Sequence, residues 1–340
     1  MLPSRGRGTC SPGSAETCCR QAPAGARSSI PYTPCRGRRH CWRGRRRLPP
    51  ATKPQAAQSP QSSASVTGTD SASDQGAAPT AAAAATSAMQ LPPALRDGVQ
   101  IAVVVPFRNQ LPLQDRQVQM DKFVPYMEAF LSSIPGAQSK IIIVEQSQDG
   151  RKFNRGQLLN VGFQLAKDAL PGLTSFITHD VDLLPSLDMR PVYANPPPEN
   201  SAVHLASVWP KYTYGTFIGG VLAFRPEDFR RVNGYPNNYW GWGLEDDQLA
   251  LRMSHCKVRT LRVRVGTYND LDPLNMKEIL ERKQQDEIRR HIPWYNIEMF
   301  RRNALNVDKD WSENGIENLT YEVLSTRERG LMQHTTVSLG

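Results

Sequence analysis

Long apolar runs are missing from this chain. Nowhere in its 340 residues do 18 apolar residues follow one another, so no transmembrane helix is expected. Cysteine is nearly missing beyond residue 97, where Cys256 stands alone. That region therefore has no internal disulfide framework, and cysteine usage does not decide the compartment. The other five, Cys10, Cys18, Cys19, Cys35 and Cys41, have spacings that fit no zinc signature. Net charge is missing from residues 98–340 as well, where 28 Lys and Arg face 28 Asp and Glu. The whole surplus of +9 lies in residues 1–97, with 13 basic and 4 acidic side chains. A neutral globular region gives no reason to expect nucleic-acid binding. Internal repeats are lacking too.

Residues 1–97 have almost no aliphatic periodicity and are built from Ala, Ser, Pro, Gly, Arg and Gln, a disordered or processed composition. The clusters Arg36 to Arg39 and Arg43 to Arg47 read as targeting signal or solvated tail, and the Arg- and Ser-rich, acid-poor start would suit an organelle transit peptide. Residues 98–340 are expected to form a single folded domain, long enough for a sizeable core. Asn318-Leu319-Thr320 is a glycosylation sequon.

The folded region is punctuated by short β-branched runs. Gln100 to Val105 reads as a buried parallel strand stopped by Pro106, with Phe107, Arg108 and Asn109 at its carboxyl end, where ligands bind in open α/β sheets. A helix is expected around Gln117 to Leu131 and a second strand at Lys140 to Val144, which makes a βαβ unit. Asn154 offers an N-cap to a helix running to Ala166, and Arg155 at that amino terminus could help hold an anion. Ser175 to Thr178 leads into His179-Asp180-Val181-Asp182. Two carboxylates two apart project to one side of an extended chain and can share a divalent cation and a nucleotide, although a pair of turn acids reads the same.

Tyr193 to Asn200 is Pro-rich and loop-like; strand character returns at Phe217 to Phe224, where Gly219 and Gly220 let something lie against the backbone. A short helix is expected at Pro226 to Val232. The densest stretch is Asn233 to Arg252. Tyr235, Tyr239, Trp240 and Trp242 alternate with Gly234, Gly241 and Gly243, a composition suited to sugar rings, and Glu245, Asp246 and Asp247 then open an apolar-periodic segment as acids of a first helical turn. Further on come a strand near Val258 to Val265, an acidic turn at Asn269 to Pro273, a charged helix from about Met276 to Arg290, and strands at Tyr321 to Ser325 and Gln333 to Ser338.

PFRNQ at 106–110, FNRG at 153–156, HDVDLLP at 179–185, YGTFIGG at 214–220 and WGWGLEDD at 240–247 occur in this order. Together they make residues 100–275 resemble the beta-1,4-galactosyltransferase family, glycosyltransferase family 7, and most of all its xylosylprotein 4-beta-galactosyltransferase branch. The resemblance implies a GT-A fold, a Rossmann-like mixed sheet flanked by helices, which agrees with the strand and helix order above. It implies inverting, metal-dependent transfer of galactose from UDP-galactose to a hydroxyl of a glycan or glycoprotein acceptor, with Mn²⁺ as cofactor and Mg²⁺ or another divalent ion possible.

Carried over by motif, Arg108, Phe153 and Arg155 would contact UDP and Asp180 the ribose. Pro106, Phe107, Asn154, Val181, Phe217, Gly219 and Gly220 complete the donor site, and Trp242 belongs to a loop that closes over it. Asp246 would deprotonate the acceptor hydroxyl, with Tyr214, Leu244, Glu245 and Asp247 around the acceptor sugar. Asp182 would bind the metal. The family's His-x-His ligands have no direct counterpart in Asn269-Asp270-Leu271-Asp272-Pro273; Asp270 and Asp272 are expected to replace them, with a bare acidic turn as the alternative. Phe217 stands where galactose users commonly have tyrosine, and galactose should still be preferred over its N-acetylated analogue. Family members work in the Golgi lumen or secretory pathway, so that location is expected unless the amino-terminal segment directs the chain to another organelle. A catalytically silent sugar- or nucleotide-binding protein of the same fold is the alternative function; a phosphodiesterase is disfavoured for want of a histidine-rich two-metal set.

Overall fold

The computed structural model describes residues 98–109, 115–211, 215–272 and 294–340. Tyr214, Pro273, the helix expected at 276–290 and the whole 1–97 segment lie outside the described residues.

β1 (Gln100–Phe107) is apolar on both faces, and the structure uses both. Ile101, Val103, Val105 and Phe107 enter a core cluster with Phe123, Met127 and Leu131 of α1 (Arg116–Ser132), while Ala102 and Val104 face Leu158, Val161 and Phe163 of α2 (Arg155–Ala169). β2 (Gln138–Gln146) divides in the same way, with Ile141 and Ile143 on one side and Ile142 and Val144 on the other. This is a three-layer α/β arrangement, in which a strand covered on both faces must be apolar at every position.

The main sheet adds β3 (Ser175–His179), β5 (Ser201–His204), β6 (Val221–Phe224), β7 (Arg259–Arg262), β9 (Tyr321–Arg329) and β10 (Met332–Leu339) in the order β7-β5-β6-β3-β1-β2-β10-β9. β1 pairs in parallel with β2 and β3, and β10 with β2; β6 runs antiparallel to both β3 and β5. The sheet is thus mixed, as expected. After β2 the chain crosses to the opposite side of β1, which makes the carboxyl ends of β1 and β3 a topological switch point. A two-stranded ribbon, β4 (Leu183–Pro185) against β8 (Tyr268–Asp270), stands beside it. α3 (Arg190–Ala194), α4 (Pro226–Arg231), α5 (Glu245–His255), α6 (Trp294–Leu305) and α7 (Val307–Glu313) complete the described elements. None of the described helices is long and apolar enough to cross a membrane.

Several expectations change. Pro106 does not stop β1, which runs on to Phe107; β3 pairs with it only as far as Val104, so the proline lies past the doubly paired stretch, where a missing N–H is tolerated. The strand expected from Phe217 begins only at Val221, because Gly220 has φ +79° and the chain turns there. The acidic turn at 269–273 begins inside β8. The Asn154 cap is as expected, its side chain accepting from Gln157 N at 2.9 Å.

Candidate active site

His179 ends β3, and the next residues turn toward β4, with Leu183 N bonded to Asp180 O at 3.4 Å. The two acids therefore sit in a turn, not on an extended chain, and they take different partners. Asp180 Oδ1 accepts from Arg155 Nε at 3.0 Å and Nη2 at 2.8 Å. Asp182 Oδ2 accepts from Arg116 Nη1 at 2.8 Å, while its Oδ1 is buried without a hydrogen-bond partner. Behind them His179 is buried between Asp180 O and Tyr193 Oη, and burial pulls its pKa down to about 4, so the ring is neutral.

Arg155 links this turn to α5. Its Nη1 lies 3.6 Å from Glu245 Oε1 and its guanidinium rests over the Tyr235 ring. The three acids do open the helix, and Leu244 before them adopts φ +75°. Burial, then the neighbouring charge of Asp246, pushes Glu245 up to about 7; burial also raises Asp246, and burial followed by Asp246 lifts Asp247 to about 6. A folded-state pKa above the unfolded one stabilises below the unfolded value and is lost as pH rises through the folded one. Glu245 should therefore cost the protein stability between about pH 4.5 and pH 7. Measured as Tm against pH, Glu245→Gln is expected to gain on the unmodified protein as pH rises across that window; a constant gap would refute the assignment.

Gly219 brings the acids and the β6 approach together. A Cβ built on it would lie 2.5 Å from Asp246 Oδ2 and 2.6 Å from Phe217 Cε2. Asp246, Phe217 and the Gly219 backbone thus enclose one spot, and His204 Nε2, bonded to Gly219 O at 2.9 Å, steadies it.

The aromatics of the stretch 233–243, whose composition suits sugar rings, are, all but Trp242, buried or half-buried in the structure. Tyr235 and Tyr239 are 0% and 1% exposed, Tyr235 in the α2 side of the core and Tyr239 bonded to Gln248; only Trp242, at 44%, is well exposed. Trp240 lies under the Arg151 guanidinium. Positive φ at Gly241, Gly243 and Leu244 bends the loop, whose carbonyls at Trp240 and Gly243 accept from Asn296 on α6.

Other expected donor contacts are spent internally. Asn154 is fully buried in bonds to Gln157, Asn237 and Gln146, and the side chains of Phe107 and Val181 belong to the core. Pro106 is buried in β1. Arg108 Nη1 donates to Arg151 O at 2.9 Å, with its guanidinium over Phe153. Of the expected donor residues, Arg155 meets Asp180 and Glu245, and Phe217 and Gly219 meet Asp246.

The expected metal set is not assembled. Among the described residues no three His, Cys, Asp or Glu side chains converge as cation ligands. Asp270 Oδ2 accepts from Lys211 Nζ at 2.9 Å and from Trp209 Nε1 at 3.2 Å, its Oδ1 accepts from Asp272 N at 2.8 Å, and Asp272 Oδ2 lies 3.7 Å from the same Nζ. The donors are hard oxygens, and the unpartnered Asp182 Oδ1 is of the kind a divalent ion takes, so the chemistry fits such an ion once the lysine withdraws. Arg116 and Lys211 escaped the sequence reading. Lys211 is the only lysine between Lys167 and Lys257, but nothing in the sequence says that it meets the two acids.

Two family models match the chain, one described as the N-terminal region of glycosyl transferase group 7 over residues 58–195, the other as the N-terminal domain of galactosyltransferase over residues 200–274. Beta-1,4-galactosyltransferase 7 of Drosophila melanogaster is 33% identical over 234 residues, 67% of this chain and 65% of the relative. Xylosylprotein 4-beta-galactosyltransferase of Caenorhabditis elegans is 38% identical over 167 residues, 48% of this chain and 53% of the relative. The chain thus spans between about half and two-thirds of the length of these relatives. The crystal structure of the catalytic domain of the Drosophila enzyme with xylobiose superposes with TM-score 0.57 at 30% identity, covering 71% of this chain and 94% of that one. A mutant of that enzyme in complex with manganese, UDP-Gal and xylobiose gives TM-score 0.52 at 28% identity, with the same coverage.

Proposed function

The chain belongs to glycosyltransferase family 7, the beta-1,4-galactosyltransferases, and we propose that residues 98–340 act as its catalytic domain, transferring galactose from UDP-galactose to a sugar hydroxyl of a glycoprotein or proteoglycan. The observation that carries this reading is the meeting of Asp246, Phe217 and Gly219 at one spot beside the switch point of the sheet. Rossmann-like sheets bind nucleotides at such a point, and a carboxylate there needs a reacting hydroxyl to serve.

Arg155 and Asp180 lie at the donor end. The guanidinium, at the amino terminus of α2, would meet the diphosphate, and Asp180 the ribose; their mutual hydrogen bond supports a shared role. Asp246 takes the proton from the acceptor hydroxyl as it attacks the anomeric carbon opposite UDP, so the new bond is beta. Its raised pKa makes it a stronger base than a solvated carboxylate, and Glu245 and Asp247 on the same helical turn hold the acceptor. Trp242, on a loop bent at Gly241 and Gly243, covers the reacting sugars and keeps water out. Asp182, Asp270 and Asp272 would hold a divalent ion, manganese by analogy with the Drosophila complex. When bound, such an ion offsets the charge that develops on the departing UDP. We place the activity in the Golgi lumen or elsewhere in the secretory pathway, where family members act.

Gly219→Ala tests the spot itself. The new methyl meets only the far ends of two side chains, Asp246 and Phe217, which can shift. Tm should change little, while kcat falls by about 10-fold or more because the base is displaced by a fraction of an ångström to an ångström. A variant as active as the unmodified protein would argue against this geometry.

The function is tested by incubating the purified chain with Mn²⁺, UDP-galactose and a panel of xylosides and N-acetylglucosaminides, reading galactosylated product and free UDP. Transfer to one acceptor class is expected. UDP binding without transfer to any acceptor would instead favour a silent binding protein.

A further inference from the structure

Lys211 is held as a bound cation would be. Its side chain is only 9% exposed, and its Nζ lies 2.9 Å from Asp270 Oδ2, 3.3 Å from Asp272 O and 3.7 Å from Asp272 Oδ2. The Trp209 ring forms one wall at 5.4 Å, and the same indole donates to Asp270. Two carboxylates, a carbonyl and an aromatic face thus surround one ammonium.

Backbone bonds tie this box to the segment that carries the buried oxygen without a partner. Leu271 N, between the two boxed acids, donates to Asp182 O at 2.7 Å, and Leu183 pairs in register with Asp270. Asp182 is 8% exposed, its Oδ2 is taken by Arg116, and its Oδ1 is unpartnered. Asp182 thus keeps one open donor atom one residue before the strand that pairs with β8. A divalent ion drawn to Asp182 needs more ligands than that oxygen supplies, and the adjoining ones are those Lys211 holds. With the ammonium still in place, the ion would meet a like charge within a buried pocket, where repulsion is strong.

We propose that Lys211 is the resident counter-ion of the Asp270–Asp272 pair and competes with a divalent cation for it, so that metal binding requires the lysine to leave. The proposal rests on the reading of this site as a metal-assisted donor site. A lysine is suited to such an exchange, since its charge sits on a flexible four-carbon stem and can withdraw without moving the backbone. Because the competitor is tethered, it acts at every metal concentration and lowers apparent affinity by the fraction of time that the pair is open. The acids are thereby neutralised before the metal arrives, and the metal is loaded weakly.

The test uses the full chain and Mn²⁺ alone, with free hexaaqua Mn²⁺ counted by electron paramagnetic resonance. Lys211→Met keeps the stem and removes the charge, and it should bind Mn²⁺ about 10-fold tighter or more, as follows if the pair is open less than about a tenth of the time. Equal or weaker binding by Lys211→Met overturns the proposal. A second arm needs no variant that might fail to fold: amine acylation of Lys211, followed by mass spectrometry, should rise as Mn²⁺ saturates the unmodified protein, and Asp182→Asn should suppress that rise. Acylation that stays flat through saturation, or absence of Mn²⁺ binding in every form, overturns it too. Galactosyl transfer is scored separately by UDP release, so failure here is distinguishable from failure of the proposed activity.

Discussion

Asp246→Asn is expected to lower kcat by about 10²–10⁴-fold, the range spanned by general acid–base catalysis, while affinity for UDP stays within about 2-fold. Asparagine keeps the shape of the side chain and can still accept from Asp247 N, as Asp246 Oδ1 does at 3.0 Å, so the first turn of α5 should hold. What is lost is the proton acceptor. The effect should fall on kcat and kcat/KM together, the pattern of an interaction made in the transition state. The buried cluster of Glu245, Asp246 and Arg155 also loses a negative charge, so Glu245 should ionise at lower pH in the variant, since the charge of Asp246 is, after burial, the largest cause that raises it. A variant with kcat within a few-fold of the unmodified protein would remove Asp246 from the role of base.

The second large effect lies away from the reacting groups. Arg252, on the same helix, is fully buried and gives Nε and Nη2 to Asp310 Oδ2 at 3.0 and 2.8 Å, with further bonds to Gly234 O at 3.1 Å and Asn314 O. Gln248 adds a third bond to Asp310 at 2.8 Å. Arg252→Met leaves Asp310 buried without its cation and removes a donor from four backbone carbonyls, those of Asn233, Gly234, Asp310 and Asn314. Breaking one side of a buried pair costs about 3–5 kcal/mol, which for a folded region of this size lowers Tm by on the order of 10 °C. Thermal unfolding followed by circular dichroism measures it. A loss under about 1 kcal/mol would mean that the network contributes little, as replacement of whole buried pairs sometimes finds. The double variant Arg252→Met with Asp310→Leu should recover part of the loss, because no uncompensated charge then remains.

How much of this was legible depended on what each residue had to do. β1, β2 and α2 announce themselves because strands covered on both faces must be apolar throughout and because Asn154 is a cap whose chemistry is local. The motif order grouped Asp246, Arg155 and Asp180 in one expected site, and the structure brings Arg155 to 2.8 Å from Asp180 and 3.6 Å from Glu245, the residue before Asp246. α6 is different: its sequence is amphipathic, with Trp294, Ile297 and Phe300 three apart, yet the sequence reading passed over it, and in the structure Asn296 is its only buried residue while Trp294 and Leu305 are 77% and 85% exposed. Tyr235 and Trp242 look equivalent in a run of aromatics and glycines, yet one is core and the other surface. Lys211 meets Asp270 across 59 residues, and no local pattern records such a pairing.

The place of β10 bears on how the chain can acquire its structure at all. This strand fills the gap between β2 and β9, and it brings His334 to Glu145, a partner 189 residues earlier. Until residue 339 has left the ribosome, β2 presents an open edge of apolar sequence, and the emerging polypeptide can pair that edge with a neighbouring copy as readily as with itself. Completion of the sheet is therefore governed by closure of a long loop, a slow kind of step.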